Sequence, residues 1–329
     1  MLFPNFWLKP KLKYHLLSYI LLPISFLWFG FSKLKQIIEV PTQHEIPIIC
    51  VGNITVGGNG KTPTAIKIRS LLEEIGYRPH IISRGYKSRL KGPHLVDPTT
   101  DSFLDVGDEA LMMSLYGPTW IARNRSLGVK SAVNSGADVI ILDDGFQNNS
   151  IKKDFSILVI ETSVGLGNGF LIPAGPLREH LSTGLAKANI IITIGEQLNQ
   201  AQFEKNHLFI KKIPTFRGTL VPKIKNPNLK KKAVFAFAGI AHPKKFKTTL
   251  ESLEAKVIKF VAYPNHRPFK IKNLKNLITE AEENHAIVIT TEKDLMRIPK
   301  HLHQKIHALK IKLELQDQNL LIKKIQTVL

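Results

Sequence analysis

The sequence predicts an α/β protein: a parallel sheet flanked by helices, followed by a second, smaller α/β lobe and preceded by an apolar helix. Three observations predict it. Short β-branched apolar runs alternate with helix-compatible stretches from residue 46 onward. The first of these runs leads directly into a glycine loop and a helix start, in IPIICVGNITVGGNGKTPTAIKI (Ile46 to Ile68). A lysine-rich break at Lys223, Lys225, Lys230, Lys231 and Lys232 then separates two such series. The resulting boundaries are an N-terminal helix over 1–36, a core over 37–208, an extended hinge over 209–232 and a C-terminal lobe over 233–329.

Composition sets the limits. An apolar share of 43% over 329 residues is that of a globular chain long enough for one large or two smaller domains. The single cysteine, Cys50, lies within the first apolar run, which excludes an intramolecular disulfide framework and fits a reducing compartment. A formal net charge of +20 favours a polyanionic partner, either nucleic acid or an anionic membrane surface.

The N-terminus separates those two. From Leu16 to Phe31 (LLSYILLPISFLWFGF) no residue is charged, and Lys9, Lys11, Lys13, Lys33 and Lys35 flank the run. A spanning helix needs about 20 apolar residues, so this one is short, and Pro23 interrupts it. No small-residue cleavage site follows, as a signal peptide requires. The pattern predicts a helix dipping into one leaflet, with Tyr19, Trp28 and Phe29 near the interface and lysines on anionic headgroups. Burial in a core is the competing reading. A nucleic-acid-binding switch protein would explain the charge but not Leu16 to Phe31.

Ile46 to Val51 is a buried strand, and Gly52, Gly57, Gly58 and Gly60 follow it, then Lys61 and Thr62, with Pro63 in the first turn of a helix. A strand, a glycine loop and a helix start make a phosphate cradle, the P-loop. Backbone N–H groups and the helix N-terminus face the anion, Lys61 adds a point charge and the Thr62 hydroxyl can ligate Mg²⁺. The strict pattern wants glycine where Thr55 stands. Further along, strands are expected at Pro79 to Ser83, Thr119 to Ala122, Val139 to Leu142, Phe155 to Ile160 and Ile190 to Ile194, the last closing the first series. Helices are expected after Val106-Gly107-Asp108-Glu109 and over Ser126 to Ser135. The second series opens at Ala233 and continues near Val257 to Phe260 and Ala286 to Thr290.

Asp143 and Asp144 end a strand at the sheet edge where ligands of open α/β folds sit, and a carboxylate beside a P-loop threonine holds Mg²⁺ directly or through water. Asp108-Glu109 supplies carboxylates of the kind a kinase needs near its acceptor hydroxyl. Arg84, Arg123, Arg125 and Arg178 fall on the same edge and suit bidentate phosphate contacts. His266 lies in the loop YPNHRPF of the second lobe. His301, His303 and His307 lack the partners of a metal site and read as surface. Thr290-Thr291-Glu292-Lys293-Asp294 reads as a helix cap with an acidic first turn.

Together, VGNITVGGNGKTP, ISRGY, VGDEA, IARNR, ILDDGFQ, GNGFLIPAGPLRE, GIAHPKKF, YPNH and TTEKD resemble one family over most of the chain: the tetraacyldisaccharide 4′-kinases of lipid A biosynthesis. That resemblance implies ATP- and Mg²⁺-dependent phosphorylation of the 4′-hydroxyl of a tetraacylated glucosamine disaccharide 1-phosphate, giving lipid IV-A. It places Thr55, Gly57, Gly58, Asn59, Gly60, Lys61 and Thr62 on the nucleotide. Thr62, Asp143, Asp144 and Glu109 fall near the metal, and Arg84, Arg125, Gln147, Arg178 and Glu179 near substrate and phosphate. Asp108 matches the family's base and His266 its partner across the lobes, brought together by lobe closure. The resemblance further implies a glycolipid at the cytoplasmic face of a bacterial inner membrane, no nucleic acid and no obligate protein partner. Two positions depart: Asn124 and Asn265 stand where the family usually has aspartate, so a weaker orienting effect on His266 is expected. A P-loop kinase acting on a soluble small molecule is the runner-up.

Overall fold

The computed structural model describes residues 4–8, 12–58, 60–223 and 227–329. Asn59, Lys9, Lys11 and Lys225 lie outside the described residues. The first lobe contributes strands β1 (Ile48–Gly52), β2 (Pro79–Ser83), β3 (His94–Leu95), β4 (Thr119–Ile121), β5 (Val139–Asp143), β6 (Phe155–Glu161), β7 (Ile190–Ile194) and β8 (Thr215–Pro222). The second contributes β9 (Ala233–Ala238), β10 (Lys256–Ala262), β11 (Ile287–Thr291) and β12 (His307–Leu309), after which β13 (Ile311–Leu315) follows. The large sheet runs β13-β8-β7-β6-β1-β5-β2-β4-β3 and the small one β10-β9-β11-β12. Within both sheets pairing is parallel except at the two edges of the large one, where β3 and β13 lie antiparallel to β4 and β8.

The inner strands are buried from end to end, as a sheet covered on both faces requires. Alternation then sorts their residues. Ile48 and Cys50 pack with Val129 and Ala132 of the helix Arg125–Asn134. Ile49 and Val51 pack with Ala65, Ile68, Leu71 and Leu72 of the helix Lys61–Glu74. Each such apolar side chain removed from water stabilises the fold by about 1.5–3 kcal/mol.

Three expectations are corrected. The segment 209–232 is not an extended hinge throughout: Thr215–Pro222 is β8, paired parallel to β7, so Ile190 to Ile194 does not close the first series. Within β8, Gly218 is where β13 lies close, since a Cβ there would sit 2.8 Å from Leu313 Cδ1. The C-terminal lobe does not extend to residue 329 either. The chain returns as β13 and the helix Gln318–Gln326, whose Leu321 and Ile325 are buried in the first lobe's core. The small lobe is thus an insertion: the chain leaves the large sheet after β8 and rejoins it at β13. Third, Pro23 does not interrupt its helix, which runs from Leu12 to Ile38.

That N-terminal helix is inverted relative to an ordinary surface helix. Ser18 and Ser25 are buried against the protein, where Asn168 Nδ2 donates to Ser18 Oγ (3.0 Å) and Ser25 Oγ donates to the Leu171 carbonyl (3.0 Å). Leu16, Ile20, Ile24, Phe26 and Leu27 point outward, each more than half exposed. Among the described residues no helix is long and apolar enough to cross a membrane.

Candidate active site

The loops at the C-terminal ends of β1, β5 and β6 face the small lobe across a cleft of about 2310 Å³. At its floor the helix Lys61–Glu74 opens on Gly60, and among the described residues no side chain caps its N-terminus. Gly60 has φ 81°, and a Cβ there would meet Ile194 Cδ1 at 2.4 Å, so only glycine lets the chain turn at this point. Lys61 Nζ donates to the Gly57 carbonyl (3.4 Å) and lies 3.8 Å from Asp144. The PAGPLRE segment braces the loop from behind: Val56 N donates to the Pro176 carbonyl (2.8 Å) and Arg178 N to that of Ile54 (2.7 Å). Thr55 is buried and bridged to Leu177, and it does not line the cleft. The missing first glycine therefore costs the cradle nothing, because that position serves as a strut.

β5 delivers the two aspartates. Gly52 fixes the turn after them, for a Cβ there would lie 2.8 Å from the Phe146 ring. Asp143 is 3% exposed, and among the described residues its Oδ1 has no hydrogen-bond partner. Burial, then the neighbouring Glu109 and Asp144 charges, push its carboxyl up to about 7 against the pull of Lys61 and Arg125. Asp144 behaves oppositely: burial works against its charge, but Lys61 and Arg178 outweigh it and hold it below the usual carboxylate range. Arg178 Nη1 donates to both Asp144 oxygens (2.8 and 3.0 Å).

A buried carboxylate oxygen without a partner among the described residues, in a cleft that Lys61 and Thr62 also line, fits a divalent cation. Among the described residues no group of three or more His, Cys, Asp or Glu forms a self-sufficient metal cage. Mg²⁺ binds through one or two carboxylates, water and nucleotide phosphates, and Asp143 and Asp144 are carboxylates that line the cleft. Glu109 lines the cleft and is bonded to Lys293 (2.7 Å).

On the opposite wall the lobes meet. His266 Nδ1 lies 3.1 and 3.0 Å from the two Asp108 oxygens. Asp108, 5% exposed, opens the helix Asp108–Ser114 and sits behind the imidazole, while His266 lines the cleft. Burial disfavours the Asp108 carboxylate, but the His266 hydrogen bond and the Lys293 and Arg297 charges prevail and hold its pKa below the usual range. His266 takes φ 56°, and the edge of Tyr86 packs on its ring at 5.1 Å between centroids.

Arg84, Arg123, Arg125 and Arg178 all line the cleft. Arg125 is buried and donates to the Ala122 carbonyl (2.5 Å), and its Nε has no partner among the described residues. Burial lowers its pKa to about 10, which leaves it cationic at neutral pH. Glu179 lies off the cleft, held by Lys187 (2.6 Å) and by Gln147 Nε2 (2.8 Å). Gln147 lines the cleft and accepts from Arg178 at 3.2 Å.

The family model described as LpxK, tetraacyldisaccharide-1-P 4′-kinase, matches residues 17–329. The chain belongs to the tetraacyldisaccharide 4′-kinase family. A tetraacyldisaccharide 4′-kinase of Rhodospirillum centenum is 39% identical over 97% of this chain and 94% of its own. One from Dinoroseobacter shibae is 38% identical over 99% and 97%. A crystal structure of LpxK from Aquifex aeolicus in complex with ATP is 27% identical, covers 95% of this chain and 99% of its own, and superposes with a TM-score of 0.77. As a member of the tetraacyldisaccharide 4′-kinase family the chain is a kinase of lipid A biosynthesis that uses ATP with Mg²⁺ and phosphorylates a glycolipid precursor at its 4′ position.

Against that kinase family's usual pattern, the two asparagines have separate explanations. Asn124 caps the helix Arg125–Asn134, its Oδ1 accepting from Leu127 N (3.2 Å), a role asparagine and aspartate fill equally. Asn265 Oδ1 is buried with no hydrogen-bond partner among the described residues, where a carboxylate's charge would be harder to hold.

Sequence reasoning gave no chemistry to Lys293 and Arg297. Arg297 is 2% exposed, pairs with Asp294, donates to the Arg267 and Gly239 carbonyls (2.7 and 2.9 Å), and lies 3.6 Å from Asp108. The cap is present in TTEKD, with Thr291 Oγ1 accepting from Asp294 N at 3.1 Å, and it concealed the outward reach of the next side chains.

Proposed function

We propose that the chain transfers the terminal phosphoryl group of ATP to the 4′-hydroxyl of a tetraacylated disaccharide 1-phosphate at a membrane surface, with proton removal by the Asp108–His266 pair. The observation that carries the mechanism is this pair's direct contact across the two lobes, in the cleft floored by the P-loop. Asp108 supplies the carboxylate and His266 the face that lines the cleft. As the sugar oxygen bonds to phosphorus and the bond to the ADP oxygen breaks, the hydroxyl proton passes to this pair.

Gly57, Gly58, Gly60 and Lys61 receive the phosphates. Thr62 and Asp143 would hold Mg²⁺, with Asp144 next to them, and the ion neutralises charge on the phosphates when bound. Arg84, Arg125 and Arg178 face the cleft as cations for phosphate oxygens, with Gln147 and Glu179 bracing Arg178. Catalysis on this arrangement rests on positioning and charge neutralisation.

The inverted N-terminal helix supports the membrane reading. Serines turned toward protein and large apolar residues turned outward are stable where the outer face meets lipid. An acylated substrate resides in that phase, and the enzyme would work from the cytoplasmic leaflet, where ATP is found. The test is incubation of the purified protein with radiolabelled ATP and detergent-dispersed tetraacylated disaccharide 1-phosphate. A labelled lipid is expected, and it should disappear in Lys61→Ala; undiminished labelling in that variant would overturn the assignment of the cradle.

A further inference from the structure

Adjacent residues of the first lobe, Asp108 and Glu109, are each bridged to the second lobe, one to His266 and the other to Lys293. Lys293 also lies 3.3 Å from His266 through Nζ and the imidazole Nε2, so the two bridges are tied to each other. We infer that Lys293 is a positioning residue for phosphoryl transfer, holding the His266 imidazole with Nδ1 on Asp108 while locking the second lobe to Glu109. The inference rests on the reading of Asp108 and His266 as the proton-accepting pair and deepens it.

Three features support it. First, an ammonium only donates, so its contact with Nε2 requires a lone pair there and places the ring proton on Nδ1, toward Asp108. In that tautomer Nε2 takes the substrate's proton as the hydrogen bond from the ammonium gives way to it. Second, Lys293 stands between two acids on its own short helix and pairs with neither. Glu292 Oε1 accepts from Tyr116 Oη (2.6 Å), and Asp294 is taken by Arg297 and by Gly239 N (2.8 Å). Its side chain, 17% exposed, turns into the cleft instead. Third, the loop carrying His266 is tethered nearby through the Arg297 bond to the Arg267 carbonyl. The imidazole itself has Asp108 and Lys293 as its polar contacts and Tyr86 against its face. Removing Lys293 leaves the ring held by Asp108 and Tyr86 without its Nε2 contact, and small misplacements of a reacting group cost large factors in rate.

The test uses the full chain with Lys293→Met, Lys293→Arg, His266→Gln, and Lys293→Met combined with His266→Gln. For each, kcat, KM for both substrates and the melting temperature are measured. Nitrogen NMR of ¹⁵N-histidine-labelled protein, with the His266 signals identified by their loss in His266→Gln, reports the tautomer. Lys293→Met should lower kcat at least tenfold, leave KM for ATP within twofold, and move the His266 Nε2 resonance. Lys293→Arg should recover part of the rate. In the His266→Gln background the same change should cost less than threefold, because its effect passes through the ring.

A kcat within twofold of the unsubstituted enzyme overturns the inference, as does a loss confined to KM for ATP or an unmoved His266 signal. Full additivity with His266→Gln, where that variant is itself impaired, overturns the role of Lys293 alone. An unchanged kcat in His266→Gln overturns the pair and this inference with it. Should Lys293→Met fail to fold, Lys293→Gln enters the same comparison with the same outcomes.

Discussion

Asp108 is the position where the proposed chemistry is most exposed to refutation. Both its oxygens lie within about 3 Å of His266 Nδ1, and Arg297 Nε stands 3.6 Å away. Asp108→Ala removes the carboxylate that orients the His266 imidazole and offsets its charge once protonated, and disabling a positioned general base lowers kcat by about 10²–10⁴. At about 1.36 kcal/mol per decade, that is about 3–5 kcal/mol of transition-state stabilisation. The same change also leaves a buried hydrogen-bond partner unsatisfied, worth about 1–3 kcal/mol of fold stability. The two effects must therefore be measured apart. Arg297 keeps Asp294 and two backbone carbonyls, so the second lobe retains its internal frame. Asp108→Asn sharpens the comparison: its carbonyl can still accept from Nδ1–H, so stability should fall less than in Asp108→Ala, but it carries no charge and kcat should fall nearly as far. Because Asp108 does not line the cleft, ATP affinity should be unchanged in both. The assay is initial-rate kinetics on detergent-dispersed glycolipid, with equilibrium ATP binding and a melting curve for each variant. An Asp108→Asn enzyme with kcat within a few-fold of the unsubstituted chain would refute the reasoning.

Other perturbations test other parts. Gly60→Ala forces a side chain into left-handed backbone, at about 1–2 kcal/mol, and against Ile194, so ATP affinity should fall about tenfold or more; unchanged binding would show that the turn is not the nucleotide cradle. Replacing Ile20, Ile24 and Leu27 with serine removes three exposed apolar side chains at about 1.5 kcal/mol each at the low end, enough to weaken partitioning onto anionic vesicles roughly a thousandfold. The seat of that helix on Asn168 and Leu171 is untouched, and co-sedimentation that persists would exclude the helix as anchor. His80 is buried and accepts from Trp120 Nε1 (3.2 Å); burial, then the Arg69 charge, lowers its pKa. The unfolded chain therefore binds the proton more readily, and the urea midpoint should decline as pH falls through about 6.5. In His80→Gln that decline should be smaller, and an identical pH profile would remove His80 as its source.

The order of strands and helices around the P-loop, the acids ending β5 and the apolar N-terminal run were fixed by local pattern. Burial on both faces writes continuous apolar runs, and a phosphate cradle needs glycine, lysine and threonine close together in the chain. Three-dimensional packing decided the rest. Thr55 became a strut because Leu177, over a hundred residues away, pairs with it. Thr215–Pro222 pairs with β7 in the large sheet, and β13 returns from beyond the small lobe to cover its other edge. Asp108 met His266, and Lys293 met Glu109, across separations no periodicity records. A sequence states what each segment can do alone, whereas the energy of a buried charge depends on which distant groups surround it, and only the assembled chain sets that.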